Sequence, residues 1–306
     1  MNEIVNQIEK KYTDLGQDPN TYLRGLLHAK PMSYWDYVEV ETLLSLQKPR
    51  TNFKDEEVFI IYHQVTELVL KLIIHELKQL TSGEDISIEV FSEKLRRIER
   101  YIGLLSNSFS IMNQGMSYDD YNQFRLSLAP ASGFQSAQFR ILEIYCTDLY
   151  NLVNERGRAR LPEEYSIRDL FENIYWQDAG KDYKTGVKSL TLSMFEEKYI
   201  EEFVRLAEQK KTSNLYVIYK KMELKGAVNE ELKTAMREVD LAFNVRWPLV
   251  HLETAQTYLN KKGENKAATG ASEWQKYLHP VYQRRIFFPD LWSKEELANW
   301  GNFMHS

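Results

Sequence analysis

The run from Val58 to Leu80 constrains this chain more than any other stretch. It contains no glycine or proline, and it is too long and too apolar to be a strand. Asp55, Glu56 and Glu57 precede it, placing negative charge where a helix dipole favours it, and Ser82-Gly83 follows as a stop. The spacing predicts one helix from about 55 to Thr81, so the remaining chain must pack around a helical spine. The rest is also short of breakers. Thirteen Gly and eight Pro in 306 residues are about 7%, against roughly 12% in average usage. The expected class is all-α: a single helical domain over residues 1–306, with no Gly/Ser/Pro-rich linker and no internal repeat.

The spine carries residues that a plain core helix would not need. Phe59 and His63 are one turn apart on one face. A lone histidine in such a run is usually structural, so His63 gains meaning only with a partner. The candidate partner is His251, within Arg246-Trp247-Pro248-Leu249-Val250-His251. There Pro248 is expected to kink or restart a helix spanning about 229–261. Other helices are expected over 1–14, from a Ser33 cap to before Pro49, over 86–106, from Ser117 through Arg125, from after a tight loop at 130–133 through Cys146 to about 151, and, as one or two helices, across 191–225. Tyr34, Tyr37, Val38 and Glu41 share a face of the second of these.

Tyr121 and Arg125 also lie one turn apart. Arg125 either pairs with a neighbouring carboxylate or uses its planar fork on a ligand carboxylate. The spacing allows both. Nineteen Tyr, 14 Phe and 6 Trp imply a dense core, a large interface or a pocket for a flat ligand. Ala268-Thr269-Gly270-Ala271-Ser272 is a small-residue loop able to approach a ligand.

Several classes are excluded. A net charge of -5 argues against nucleic acid. One cysteine, Cys146, excludes an intrachain disulfide, a cysteine-cluster zinc site and a cysteine-held iron–sulfur cluster. The start MNEIVNQIEKKY lacks the pattern of a signal peptide, and no membrane-spanning run is expected, so the expected location is the cytoplasm. Walker, GxGxxG, HExxH, GxSxG and CxxC motifs are absent. A single imidazole without cysteines nearby is a poor zinc site, yet it suffices for haem iron. Residue chemistry alone thus reaches a helical protein with two notable histidines and a candidate anion-binding arginine, its function open.

Longer strings narrow this. SYWDYVEVETLLSLQKPRT, FIIYHQVTELVLKLIIHEL, PASGFQSAQFRILE, RWPLVH, TGASEWQKYL and RRIFFPDLW occur in that order. Together they resemble the tryptophan 2,3-dioxygenase family, from about residue 20 to the C-terminus. The resemblance implies an all-helical homotetramer that binds haem b. It implies an enzyme of tryptophan catabolism, which inserts O2 across the indole C2–C3 bond of L-tryptophan to give N-formyl-L-kynurenine. His251 matches the proximal iron ligand, and His63 the distal histidine that meets the indole N–H. Phe59 matches a wall of the indole pocket, Arg125 the holder of the substrate carboxylate with Tyr121 beside it, and Thr269 the threonine at the ammonium and carboxylate. Tyr34, Tyr37 and Val38 match a wall that segment 1–50 lends to the neighbouring subunit. His63 is expected to orient the substrate rather than act as an obligatory base. Two departures stand out: the family more often has Thr-Gly-Gly-Ser at 269–272, and Leu where Val38 stands. The alternatives are a related haem mono-oxygenase acting on an indole or phenol, and a haem sensor without turnover.

Overall fold

The computed structural model describes residues 2–83, 86–128, 133–182, 185–259 and 278–302, and the chain divides into two units, Met1–Lys48 and Pro49–Ser306. The first unit holds α1 (Asn2–Asp14), α2 (Pro19–His28), α3 (Tyr34–Val38) and α4 (Val40–Leu44). Ser33 caps α3 by accepting from the Asp36 N–H, as its position before the aromatic run predicts. The expected continuous helix to residue 48 is, however, split. Glu39 adopts φ +57, its N–H bonds the Trp35 carbonyl, and α4 starts from it in a new direction. None of these four helices buries a residue.

In the second unit the spine is α5 (Asp55–Leu80), followed by α6 (Ile88–Gly115), α7 (Tyr118–Phe124), α8 (Ala137–Cys146), α9 (Glu155–Arg158) and α10 (Ile167–Asn173). Then come α11 (Leu190–Lys210), α12 (Leu215–Leu224), α13 (Glu230–Leu241), α14 (Trp247–Leu259), α15 (Pro280–Gln283) and α16 (Lys294–Ala298). Among the described residues, extended pairing is limited to two isolated bridges, Val153 with Ile174 and Lys181 with Lys188. The all-α expectation therefore holds. α6 runs nine residues past its expected end at 106, because Leu105, Phe109 and Met112 continue the buried stripe through a stretch rich in serine and asparagine.

α5 packs along α6 and α8 and buries Tyr62, Val69, Leu70, Ile73, Ile74, Leu77 and Leu80. By length and composition alone it is apolar enough to cross a membrane. Its packing is that of a core helix, and it also buries two carboxylates. Glu76 is 1% exposed and pairs with Lys94 at 3.1 Å and Arg97 at 2.6 Å, both on α6. Glu56 takes bonds from the Arg50 and Thr51 N–H groups and the Thr51 hydroxyl. Burial works against its charge, but those donors outweigh it and hold the carboxyl below the usual range.

The helix expected over 229–261 is interrupted where proline makes it so. Ala242–Arg246 forms a π-turn, and the Trp247 N–H bonds the Ala242 carbonyl five residues back. This widened turn comes immediately before Pro248, whose ring cannot follow a regular α-turn. α14 then restarts and carries His251. Asp240 fixes the other side of the turn. It is fully buried and accepts from the Phe287 and Phe288 N–H groups at 3.0 and 3.1 Å, from Trp292 Nε1 at 3.0 Å and from Asn244 Nδ2 at 2.7 Å. The aromatic tail is thereby tied to the turn that aims α14. Asp240→Ala strands these donors in the core, so urea unfolding should register a loss of about 3 kcal/mol or more. Asp240→Asn, which keeps an acceptor oxygen, should lose distinctly less. Equal losses for the two would mean that packing, not hydrogen bonding, is what Asp240 contributes.

Candidate active site

Four helices bring aromatic and methionine side chains to one place. α5 supplies Phe59, Tyr62 and His63; α6 supplies Phe109, Met112 and Met116; α7 with α14 supplies Tyr121, Phe124 and Tyr258. The Phe59 ring lies 4.1 Å from the His63 ring, 5.6 Å from Phe124 and 6.2 Å from Tyr121. Tyr121 lies 4.7 Å from Tyr258, whose hydroxyl donates to the Met112 and Met116 carbonyls and so pins α14 to the end of α6.

His63 Nδ1 sits 2.7 Å from the Phe59 carbonyl. A carbonyl only accepts, so Nδ1 carries the proton and the neutral ring presents Nε2 as a bare acceptor. Desolvation by the surrounding protein lowers the His63 pKa, opposed by the Phe59 carbonyl and by Glu67. The neutral form is therefore the resting one. His251 stacks on Phe109 at 5.4 Å. Its pKa is pushed down to about 4, first by desolvation and then by the nearness of His63. The two imidazoles flank one aromatic cluster, joined ring to ring through Tyr62 and Phe109. Tyr62 closes the gap between them, with its ring 5.5 Å from both His63 and Phe109. Both histidines keep exposed surface, although the protein packed around their rings desolvates them.

Arg125 caps the end of α7 and is buried. Its Nε donates to Asn122 Oδ1 at 3.2 Å, which orients the planar group. Burial raises the Tyr121 pKa, and the Arg125 charge offsets part of that rise, so the two side chains are close. Of the residues singled out from sequence, Phe59, His63, Tyr121, Arg125 and His251 thus belong to one cluster. Tyr34, Tyr37 and Val38 lie in the first unit, where all three are exposed. Thr269 and its loop fall outside the described residues. Sequence reasoning passed over Tyr62, Phe109, Asn122 and Tyr258. Phe109 and Asn122 had signals of their own, at helical spacing from Leu105 and Met112 and three residues before Arg125. The role of Tyr258 depends on a contact 142 residues away and had none.

Residues 25–173 match the profile of the tryptophan 2,3-dioxygenase family. The tryptophan 2,3-dioxygenase of Arthrobacter sp. (strain FB24) is 30% identical over 272 residues, which cover 86% of this chain and 90% of that protein. The chain belongs to the tryptophan 2,3-dioxygenase family. The tryptophan 2,3-dioxygenase of Bacillus anthracis is 29% identical over 277 residues, 86% of this chain and 91% of its own. That of Ruegeria pomeroyi is 35% identical over 130 residues, 41% of this chain and 46% of its own. In this member of the family the profile takes in α5 to α7 with Phe59, His63, Tyr121 and Arg125. His251 lies beyond the profile's match.

The residues present fit a haem. Among the described residues no group of three or more His, Cys, Asp or Glu could hold a bare metal ion. A lone neutral imidazole at the edge of an aromatic hollow is instead the donor set of a haem ligand. A separate open groove of about 640 Å³ between α6 and α14, lined by Gly103, Arg246, Val250 and Gln256, contains neither histidine. The site is therefore defined by the rings, not by that groove.

Proposed function

We propose that this protein is a haem-dependent dioxygenase that opens the indole C2–C3 bond of L-tryptophan with O2, giving N-formyl-L-kynurenine. The observation that carries the reading is the pair of neutral imidazoles, His63 and His251, against one aromatic cluster. His251 would hold the haem iron through its neutral imidazole. Bound haem supplies the ferrous centre at which dioxygen is activated. The chain's own work is to hold the indole there in a reactive orientation.

His63 Nε2 accepts the indole N–H, because the Phe59 carbonyl already engages the other ring nitrogen. Phe59 lies against the indole. Arg125, oriented by Asn122, takes the substrate carboxylate, with Tyr121 beside it. Thr269 meets the ammonium and carboxylate. The apolar walls keep water from the reacting atoms. The protein works as a homotetramer in the cytoplasm, in which segment 1–50 of one copy covers the pocket of its neighbour with Tyr34, Tyr37 and Val38. The exposed apolar side chains of α3 support that role.

The test is product formation by haem-loaded, reduced protein given L-tryptophan and O2. Near-ultraviolet absorbance of N-formylkynurenine is expected. A hydroxylated product with the ring intact would turn the reading into a mono-oxygenase, and substrate-induced Soret shifts without product would turn it into a sensor. His63→Ala should keep full haem loading and lose one orienting hydrogen bond, worth about 0.5–1.5 kcal/mol, or up to roughly tenfold in kcat/KM. A variant unable to load haem would exchange the roles of the two histidines.

A further inference from the structure

α14 presents a second polar side chain on the face of His251. Tyr258 follows it by seven residues, or two helical turns, and is buried. Its hydroxyl donates to the Met112 carbonyl and, at 3.2 Å, to the Met116 carbonyl. Met112 stands in the last turn of α6, where the helix itself leaves carbonyls without donors, and both methionines are buried. The phenol therefore closes a helix end that is cut off from water, which an unpaired carbonyl there would make costly.

The ring of the same residue reaches α7. It lies 6.4 Å from Tyr118, within 8° of parallel, and 4.7 Å from Tyr121. α7 has seven residues and buries only Phe124, so its place is set by what holds it from outside. Asp55, at the start of α5, holds its entry by accepting the Ser117 N–H, and Ser117 caps it by accepting from the Asp120 N–H. Phe59 bears on Tyr121 from one side and Tyr258 from the other. Arg125, at the far end of α7, stands where these contacts put it. Tyr258 is thus the direct link from the helix of the haem ligand to the helix of the carboxylate clamp.

We propose that Tyr258 is a positioning residue for the substrate carboxylate: by tying α7 to α14 and to the end of α6, it fixes where Arg125 stands relative to His251. It acts through Tyr121 and the backbone of α7, not by touching the substrate. The inference rests on the assignment of Arg125 to that carboxylate. A substrate with an indole at one end and a carboxylate at the other is read by the distance between two anchors, so a shift of α7 costs affinity only when both anchors are in use. A ligand that offers the indole alone is indifferent to it.

Tyr258→Phe keeps the ring against Tyr118 and Tyr121 and removes only the donor. In the haem-loaded full chain its Soret band should match wild type. Its Kd for L-tryptophan, read from the Soret shift, should rise roughly three- to tenfold, while kcat at saturation stays within about twofold. Its Kd for tryptamine should not move. Asp55→Ala loosens the entry of α7 from the other side and should raise the same ratio of the two constants, which decides the matter even where Tyr258→Phe folds poorly. A ratio unchanged in both variants overturns the proposal. Amide hydrogen exchange supplies a readout that needs no substrate: residues 117–125 should exchange faster in Tyr258→Phe while residues 69–77 of α5 stay protected. Exchange unchanged in α7, or faster everywhere alike, also overturns it, since Tyr258 would then contribute packing alone. Faster exchange confined to α7, with no tryptophan response even in wild type, would remove the assigned function and leave the tie between α14 and α7 standing.

Discussion

His251→Ala is expected to abolish haem loading and, with it, all dioxygenase activity. The imidazole is neutral at ordinary pH, because its pKa lies near 4. Its lone pair is therefore available without the cost of removing a proton. No cysteine lies near enough to replace it, since Cys146 is fully buried in the core cluster around α8. The purified variant should lack a Soret band. Because the substitution opens space against Phe109 without removing core packing, added imidazole should enter and restore the band in part. A Soret band of wild-type intensity in His251→Ala without imidazole would refute the ligand assignment.

The second large effect is expected at Arg125. A charge-assisted contact of this kind contributes about 1.5–3 kcal/mol, so Arg125→Ala should raise KM for L-tryptophan by roughly 10- to 150-fold. Arg125→Lys keeps the charge but not the fork that Asn122 orients, and should recover only part of the loss. Tryptamine, which lacks the carboxylate, gives a sharper comparison. Wild type should already show the penalty with tryptamine, and Arg125→Ala should add little to it. An additional full penalty with tryptamine would mean that Arg125 supports the fold of the α7 terminus instead of the substrate.

Both expectations start from residues visible in the sequence, but they became a site in different ways. Phe59 and His63 share a face of α5 by helical periodicity, and Tyr121 and Arg125 share one of α7. Those neighbours are local, so spacing alone predicts them. The distance from His63 to His251 is not local. It depends on α5 and α14 both packing against α6, on Tyr258 reaching the Met112 carbonyl, and on a π-turn that re-aims α14 before Pro248. The break at Glu39 was equally hidden, because a left-handed glutamate has no sequence signal of the kind a glycine gives. Trp176, followed by the polar Gln177-Asp178, is buried against Phe195 by a contact between residues distant in sequence.

The sequence by itself determined the class of fold and the inventory of chemistry. The breaker-poor, periodic chain makes helices because each backbone bond closes within four residues, and the strings around His63 and His251, with PASGFQSAQFRILE between them, carry the family. Tertiary structure alone decided which nitrogen of His63 faces the hollow and that both imidazoles stay neutral. It also decided that α5 serves the core with one face and the aromatic cluster around Phe59 and Tyr62 with another. Tautomer, desolvation and exposure are properties of what surrounds a residue in space, and those neighbours are drawn from helices that the order of residues does not place side by side.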